Sequence, residues 1–143
     1  MEGFYTCRFL KKNIRIFGDC IIDSTVDGIF IKSEGGNPAK NIVITNCIVS
    51  SHASAIKLGT GSVGGFKNIS ISNCVICQSK LTEMFHPSGV WGGLTGIDIL
   101  TTDGGPLRKV IVSNITMDNV QNPIHIRLEN RFFGSVARQG YGG

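Results

Sequence analysis

Acidic and imidazole side chains recur along the chain at a spacing that can bring them together. Glu2, Asp27 and His52 follow one another at equal intervals of 25 along the sequence. On neighbouring strands, two carboxylates and an imidazole can supply the acid and the base for hydrolysis of a glycosidic bond. We therefore predict Asp27, Glu2 and His52 as catalytic residues. The alternative is that these side chains are solvated charges in turns.

Two further columns of side chains are predicted to point outward beside these residues. One contains Phe30, Lys57, Asp98 and His125, and the other contains Lys32, Gly59, Leu100 and Arg127. Cations in such columns suit an anionic sugar. We predict that Lys32, Lys57, Arg127 and His125 bind an acidic polysaccharide.

The single tryptophan is a further binding candidate. Trp91 lies in a segment that also contains Phe85 and His86. An exposed aromatic ring beside a groove can stack on a sugar, so we add Trp91 to the predicted substrate-binding residues. The alternative is that Trp91 packs its segment against the rest of the protein.

Short alternating segments must position all of these residues. One face is apolar and is formed by Ile29 and Ile31, Ile56 and Leu58, Ile97 and Ile99, and Ile124 and Ile126. The residues between them, such as Lys57 and Asp98, point the other way. Alternation with period two over β-branched residues predicts β-strands, and no segment has the pattern of an amphipathic helix.

The alternating segments repeat at a nearly constant step. One series starts at Asn13, Asn41, Asn68 and Lys109, at steps of 28, 27 and 41, and the other at Gly28, Ala55, Gly96 and Pro123, at steps of 27, 41 and 27. Such a repeat without helices predicts an all-β parallel β-helix, a solenoid of about four to five coils. A leucine-rich solenoid would need leucines at fixed offsets and a helical turn, and a β-sandwich would not keep the step.

The repeat also defines the domain organisation. We expect one domain over residues 1–131, with a loop insertion at about residues 77–95 that accounts for the longer steps, and a glycine-rich, frayed tail over residues 132–143. Asp19, Asn46, Asn73 and Asn114 fall at one turn position, where stacked side chains are expected to satisfy backbone groups of the turns.

Composition narrows the possible partners. A net charge of +4 is too small to indicate nucleic acid, and no run approaches the ~18–20 apolar residues of a membrane span. Five cysteines argue against a fully paired disulfide framework. Cys20, Cys47 and Cys74 share one repeat position and are expected to be stacked thiols. With no zinc-binding spacing, we expect no metal and no cofactor, and we expect a monomer.

The opening residues carry no signal-peptide pattern, so the chain itself does not indicate a compartment. Because it enters a repeat at once, we expect a fragment of a longer protein.

Four stretches carry a family resemblance: Asp-Ser-Thr-Val-Asp-Gly-Ile-Phe-Ile-Lys-Ser (23–33), Asn-Ile-Val-Ile-Thr-Asn-Cys (41–47), Ser-His-Ala-Ser-Ala-Ile-Lys-Leu-Gly-Thr (51–60) and Val-Ser-Asn-Ile-Thr-Met-Asp-Asn-Val-Gln-Asn-Pro-Ile-His-Ile-Arg-Leu (112–128). They resemble glycoside hydrolase family 28, the family of polygalacturonases and rhamnogalacturonases. The resemblance covers residues 2 to 131, the central and C-terminal coils of the family. It implies a right-handed parallel β-helix, inverting hydrolysis of pectic polysaccharide, and an extracellular or periplasmic location.

The resemblance carries over unevenly to individual residues. Asp27 falls on the second of the family's paired aspartates, and Val26 stands where the family has its general acid. Glu2 falls on the aspartate of the Asn-Thr-Asp motif, and His52 on the histidine of Gly-His-Gly. The family's Arg-Ile-Lys motif falls on Asp98-Ile99-Leu100, so that both of its cations are replaced.

Two functions therefore stay open. The chain is either a hydrolase acting on polygalacturonan or rhamnogalacturonan, or a catalytically degenerate or truncated β-helix that binds polysaccharide or is only structural. A lyase of the pectate lyase type would need an acidic calcium-binding cluster, and the sequence has no cluster of that density.

Overall fold

The computed structural model describes residues 15–80, 95–129 and 131, and the regular secondary structure within these ranges consists of β-strands. The ten strands are β1 (Arg15–Gly18), β2 (Ile21–Asp23), β3 (Ile29–Ile31), β4 (Ala39–Thr45), β5 (Ile48–Ser51), β6 (Ser54–Leu58), β7 (Phe66–Gln78), β8 (Thr95–Thr101), β9 (Leu107–Asp118) and β10 (Asn122–Leu128).

These strands form two sheets in which every pair of neighbours is parallel. The first sheet has the order β1-β4-β7-β5-β2, with β9 paired to β7, and the second has the order β10-β8-β6-β3. Strand β7 is long enough to pair with β4 along its first half and with β5 along its second. The prediction of an all-β chain with parallel strands is confirmed.

Strand pairing follows the step read from the sequence. In the second sheet Ile29 pairs with Ile56 at a step of 27, Ile56 with Ile97 at a step of 41, and Ile97 with Ile124 at a step of 27. The step of 28 starts at Asn13, which lies outside the described residues, and at the start of the described residues Arg15 pairs with Ile42 at a step of 27. Strand β2 pairs with β5 at the same step. A constant step matters because a slip by a single position would turn every side chain of a strand to the other face of its sheet.

The core is a single apolar cluster that draws residues from both sheets. Its completely buried members include Ile31, Ile44, Ile56, Leu58, Ile71 and Ile76. Ile124 and Ile126 were expected on the same inward face, yet each is 57% exposed. The reason is that β8 is the one described strand that pairs with β10, so no strand of the described residues covers the other side of β10.

Asparagines hold the bends of the first sheet. Asp19, Asn46, Asn73 and Asn114 have φ between 50° and 55°. The backbone is left-handed as well at Asn68 and Lys109, with φ of 55°, and at Asn41, with φ of 58°. Asparagine and aspartate tolerate this left-handed backbone better than other residues with a β-carbon. The amide of Asn68 donates to Asn41 Oδ1 at 3.1 Å, and that of Asn114 donates to Asn73 Oδ1 at 3.2 Å. These amides therefore bond to one another, where bonds to the turn backbone were expected.

The cysteines of the described residues are free thiols. Cys20, Cys47 and Cys74 each donate to the carbonyl two residues earlier at 3.2 Å. Burial raises the pKa of the Cys47 thiol above its ordinary value of 9.0, which favours the neutral form.

Candidate functional site

The outward face of the second sheet carries a row of chemically different side chains. Phe30, Lys57, Asp98 and His125 are register partners on β3, β6, β8 and β10. Neighbouring strands lie ~4.8 Å apart, so each side chain of the row can reach the next. The predicted column is therefore a row of neighbours across the sheet.

Asp27 lies two residues before β3 and is held by β6. Its Oδ1 accepts a hydrogen bond from the Ser54 backbone N–H at 3.1 Å, and its Oδ2 from Lys57 Nζ at 3.2 Å. The close approach requires Gly28, because a β-carbon there would lie 2.5 Å from the carbonyl oxygen of Ala55. The Asp27 carboxylate is thus fixed in position between a backbone donor and a cation.

Asp98 is the second carboxylate of this face. Its Oδ2 accepts a hydrogen bond from Ser54 Oγ at 2.9 Å, and its Oδ1 lies 2.9 Å from His125 Nδ1. The side chain of Asp98 is 7% exposed, whereas that of His125 is 49% exposed. With Nδ1 occupied by the carboxylate, Nε2 is the imidazole nitrogen left for proton exchange with a ligand or water.

Ser54 joins the two carboxylates, since its N–H bonds to Asp27 and its hydroxyl bonds to Asp98. Asp27 precedes β3 and Asp98 lies on β8, and because β6 lies between these strands, they are two strand spacings apart, or ~9.6 Å. Two hydrogen bonds through one serine hold the carboxyl groups at about this separation or less. That separation falls near the ~6.5–9.5 Å that an inverting glycosidase needs between its acid and its base.

The predicted catalytic residues have different outcomes. Asp27 belongs to the network around Ser54, and Glu2 lies outside the described residues. His52 lies in the turn between β5 and β6 and is partly buried. The interval of 25 is not the register of pairing: at the observed step of 27, Ser54 and not His52 lies beside Asp27.

Each of the predicted substrate-binding cations faces a carboxylate of the same chain. Lys32 pairs with Glu34 at 3.1 Å, Lys57 with Asp27 at 3.2 Å, and Arg127 with Glu129 at 2.7 Å. The positive charge of this face is therefore largely balanced within the protein.

Phe30 provides an apolar surface between two of these cations. Lys32 Nζ and Lys57 Nζ lie 5.0 and 5.2 Å from the centroid of its ring, a distance at which cations are attracted to an aromatic face. Trp91, the other predicted aromatic contact, lies outside the described residues.

Sequence reasoning missed Asp98 and Ser54 as site residues. The resemblance assigns Asp98 to a lost cationic position, but in the structure it is the acceptor at the centre of the network. One signal was present in the sequence, since Asp98 precedes His125 by one step of 27 in the same outward column.

A second buried carboxylate has a structural role. Asp103 accepts hydrogen bonds from the Ser62 backbone N–H at 3.0 Å and from Arg131 Nε at 2.7 Å, and Ser62 Oγ accepts one from the Asp103 N–H. These bonds tie the chain after β8 to the chain after β6, away from the row of Lys57 and Asp98.

The residues described contain no helix long and apolar enough to cross a membrane. Nor do their His, Cys, Asp and Glu side chains form a group of three or more that could hold a metal ion. Comparisons of the chain with known protein families, with curated proteins and with solved structures found no match.

Proposed function

We propose that the protein is a right-handed parallel β-helix similar to glycoside hydrolase family 28, and that it hydrolyses glycosidic bonds in pectic polysaccharide with inversion. Parallel pairing at steps of 27 and 41 in both sheets supports the β-helix, because each repeat then adds one strand to each sheet in the same order. The motifs around Asp27 and His52 support the family and its pectic substrates, polygalacturonan and rhamnogalacturonan.

The observation that carries the activity is the pair of carboxylates joined by Ser54. Inverting hydrolysis needs a base that takes a proton from water and an acid that protonates the leaving oxygen. Asp27 is the candidate base. The Asp98–His125 pair is the candidate proton donor, in place of the acid that Val26 cannot supply, and the exposed imidazole of His125 can restore the proton from solvent.

Phe30 and its two lysines suit the binding of an acidic sugar beside this pair. A half-buried aromatic ring can pack against a sugar ring, while Lys32 and Lys57 can exchange their internal carboxylate partners for the carboxylate of a uronate. Binding would then loosen Asp27 from Lys57, which is what a carboxylate needs in order to accept a proton from water.

A second candidate function rests on the same contacts. Both oxygens of Asp98 are already hydrogen-bonded and its side chain is buried, and Asp27 is paired with Lys57. Saturated carboxylates favour a non-catalytic β-helix that binds polysaccharide or is only structural.

Release of reducing ends from polygalacturonan and from rhamnogalacturonan distinguishes the two functions. For a hydrolase, Asp27→Asn and Asp98→Asn should each lower the rate by about 10²–10⁴-fold, as expected for loss of a base or an acid. His125→Gln, at an exposed position, tests the same donor with little risk to folding. Asp118→Asn, which removes an exposed carboxylate on the first sheet, is the matched control and should leave the rate unchanged. Background release by the unchanged protein and all four variants would refute hydrolysis and favour the non-catalytic function.

A further inference from the structure

Three cations form a row across the first sheet, on strands that take no part in the candidate site. Lys40 on β4 pairs in register with Lys67 on β7, and Lys67 pairs with Arg108 on β9. All three side chains are exposed. Because neighbouring strands are ~4.8 Å apart, the three charges follow one another at the spacing of the sheet. We call Lys40, Lys67 and Arg108 the basic row.

The basic row has no internal counter-charge among the described residues. None of the ion pairs between those residues involves Lys40, Lys67 or Arg108, in contrast to Lys32 and Arg127, which face carboxylates. Like charges placed directly opposite on neighbouring strands destabilise a sheet. Because no described carboxylate balances these cations, a contribution to folding stability does not explain the basic row.

A cavity adjoins two cations of the basic row. It has a volume of about 300 Å³ and is lined by Lys67 and Arg108 together with Gly36, Pro38, Gly64 and Pro106. Its walls are held by backbone hydrogen bonds: Phe66 N–H donates to the Pro106 carbonyl at 2.8 Å, and Gly64 N–H to the Ser33 carbonyl at 3.0 Å. The cations therefore lie at the edge of a preformed concave surface at the lower end of the size range for ligand sites.

We propose that the basic row and its cavity bind a linear acidic polysaccharide, with the carbohydrate chain running across the strands and its carboxylates facing successive cations. The site is distinct from the candidate hydrolytic site, which lies on the second sheet. It anchors the polymer and does not require hydrolysis.

Acidic carbohydrate fits this surface better than nucleic acid does. Single-stranded nucleic acid sites combine cations with aromatic side chains on which bases stack. The aromatic side chain that lines this cavity in the described residues is Phe66, which is completely buried. A site of unpaired cations, glycine and proline offers charge and shape without a surface for base stacking.

Isothermal titration with oligogalacturonate at low salt tests the proposal. The test variant is Lys67→Ser/Arg108→Ser, and the matched control is Lys80→Ser/Lys109→Ser, which removes the same charge at two exposed lysines that neither line the cavity nor belong to the candidate site. The test variant loses two exposed ion pairs between the protein and the carboxylates of the ligand, which should raise the Kd about fivefold to tenfold. The control should change the Kd by less than about twofold, because its lysines lie outside the basic row and do not line the cavity.

Several outcomes would overturn the proposal. Equal weakening in both variants would mean that binding follows net charge, and weakening in the control variant alone would place binding outside the basic row. Fully methyl-esterified oligogalacturonate should not bind. An oligodeoxythymidylate of equal charge should bind more weakly than oligogalacturonate, and tighter binding of that DNA would assign the basic row to nucleic acid. His125→Gln should keep oligogalacturonate binding even where it abolishes hydrolysis, so failure of the hydrolytic proposal and of this one are separable.

Discussion

Among the described residues with a β-carbon and a left-handed backbone, Lys109 is the one that is neither asparagine nor aspartate. Its φ is 55°, and its register neighbours at the same position, Asn68 and Asn41, have φ values of 55° and 58°. For an ordinary residue the left-handed conformation costs ~1–2 kcal/mol, and asparagine reduces that cost through local hydrogen bonding. The substitution Lys109→Asn should therefore stabilise the protein.

The size of the effect follows from two contributions. Relief of the backbone should give about 1 kcal/mol. Asn68 donates to Asn41, which leaves Asn68 Oδ1 free to accept a bond from the introduced amide, and in this exposed position such a bond adds about 0.5 kcal/mol. A total of about 1.5 kcal/mol corresponds to a rise in Tm of about 4–6 °C for a chain of this length.

Thermal and urea unfolding followed by circular dichroism measure the change. Lys109→Ala is the control, because it removes the positive charge next to Arg108 but lacks the side-chain amide that makes the left-handed conformation less costly for asparagine. It should change the free energy of unfolding by less than about 0.5 kcal/mol. If Lys109→Asn were no more stable than Lys109→Ala, the left-handed backbone would not be the source of strain and the reasoning would fail.

Three further predictions concern the repeat and the thiols. Deletion of residues 42–68 removes one full step of 27, so that Asn41 leads into Ile69 in the same register, and the variant should keep a single cooperative urea transition. Deletion of residues 42–67 is the control. It shifts the following strand by a single position and should abolish the cooperativity of unfolding. Cys47, which is 1% exposed, should react with a thiol reagent more slowly than the partly exposed Cys20. Because burial raises the Cys47 pKa above 9.0, the folded state holds this proton more tightly, so its contribution to stability is full below pH 9.0 and is lost as the pH rises through the folded pKa.

The strands and their pairing partners were predictable because the alternation of residues within a strand and the step between repeats can both be read directly from the sequence. Alternating isoleucines such as Ile29 and Ile31 mark the buried face, and the step of 27 gives the neighbour. The same signals do not report whether a neighbour exists. Ile124 and Ile126 carry the pattern of core residues, but their exposure depends on whether another strand covers β10.

The contacts of the candidate site were less predictable, because they depend on the positions of side-chain terminal atoms, which the repeat pattern does not specify. Asp27 was predicted as a catalytic residue and Lys57 as a substrate-binding residue, so an ion pair between them was not expected. Lys57 lies three positions beyond Ser54, which is one step of 27 from Asp27. Asp98 was overlooked because its contacts to Ser54 and His125 cross the step of 41 as well as the step of 27. The interval of 25 between Asp27 and His52 resembled the repeat but differed from it by two, which is enough to put Ser54 beside Asp27.

Strand β10 has a consequence for how the protein behaves at high concentration. Ile124, Ile126 and Leu128 are 57–67% exposed along a strand that, in the described part of the chain, has β8 on one side and no strand on the other. Such an edge can template a further strand from any chain with alternating apolar residues. Because these side chains are already partly buried, covering each of them would stabilise the assembly by about 1–2 kcal/mol. Among the described strands, β10 is therefore an edge at which aggregation is expected to start.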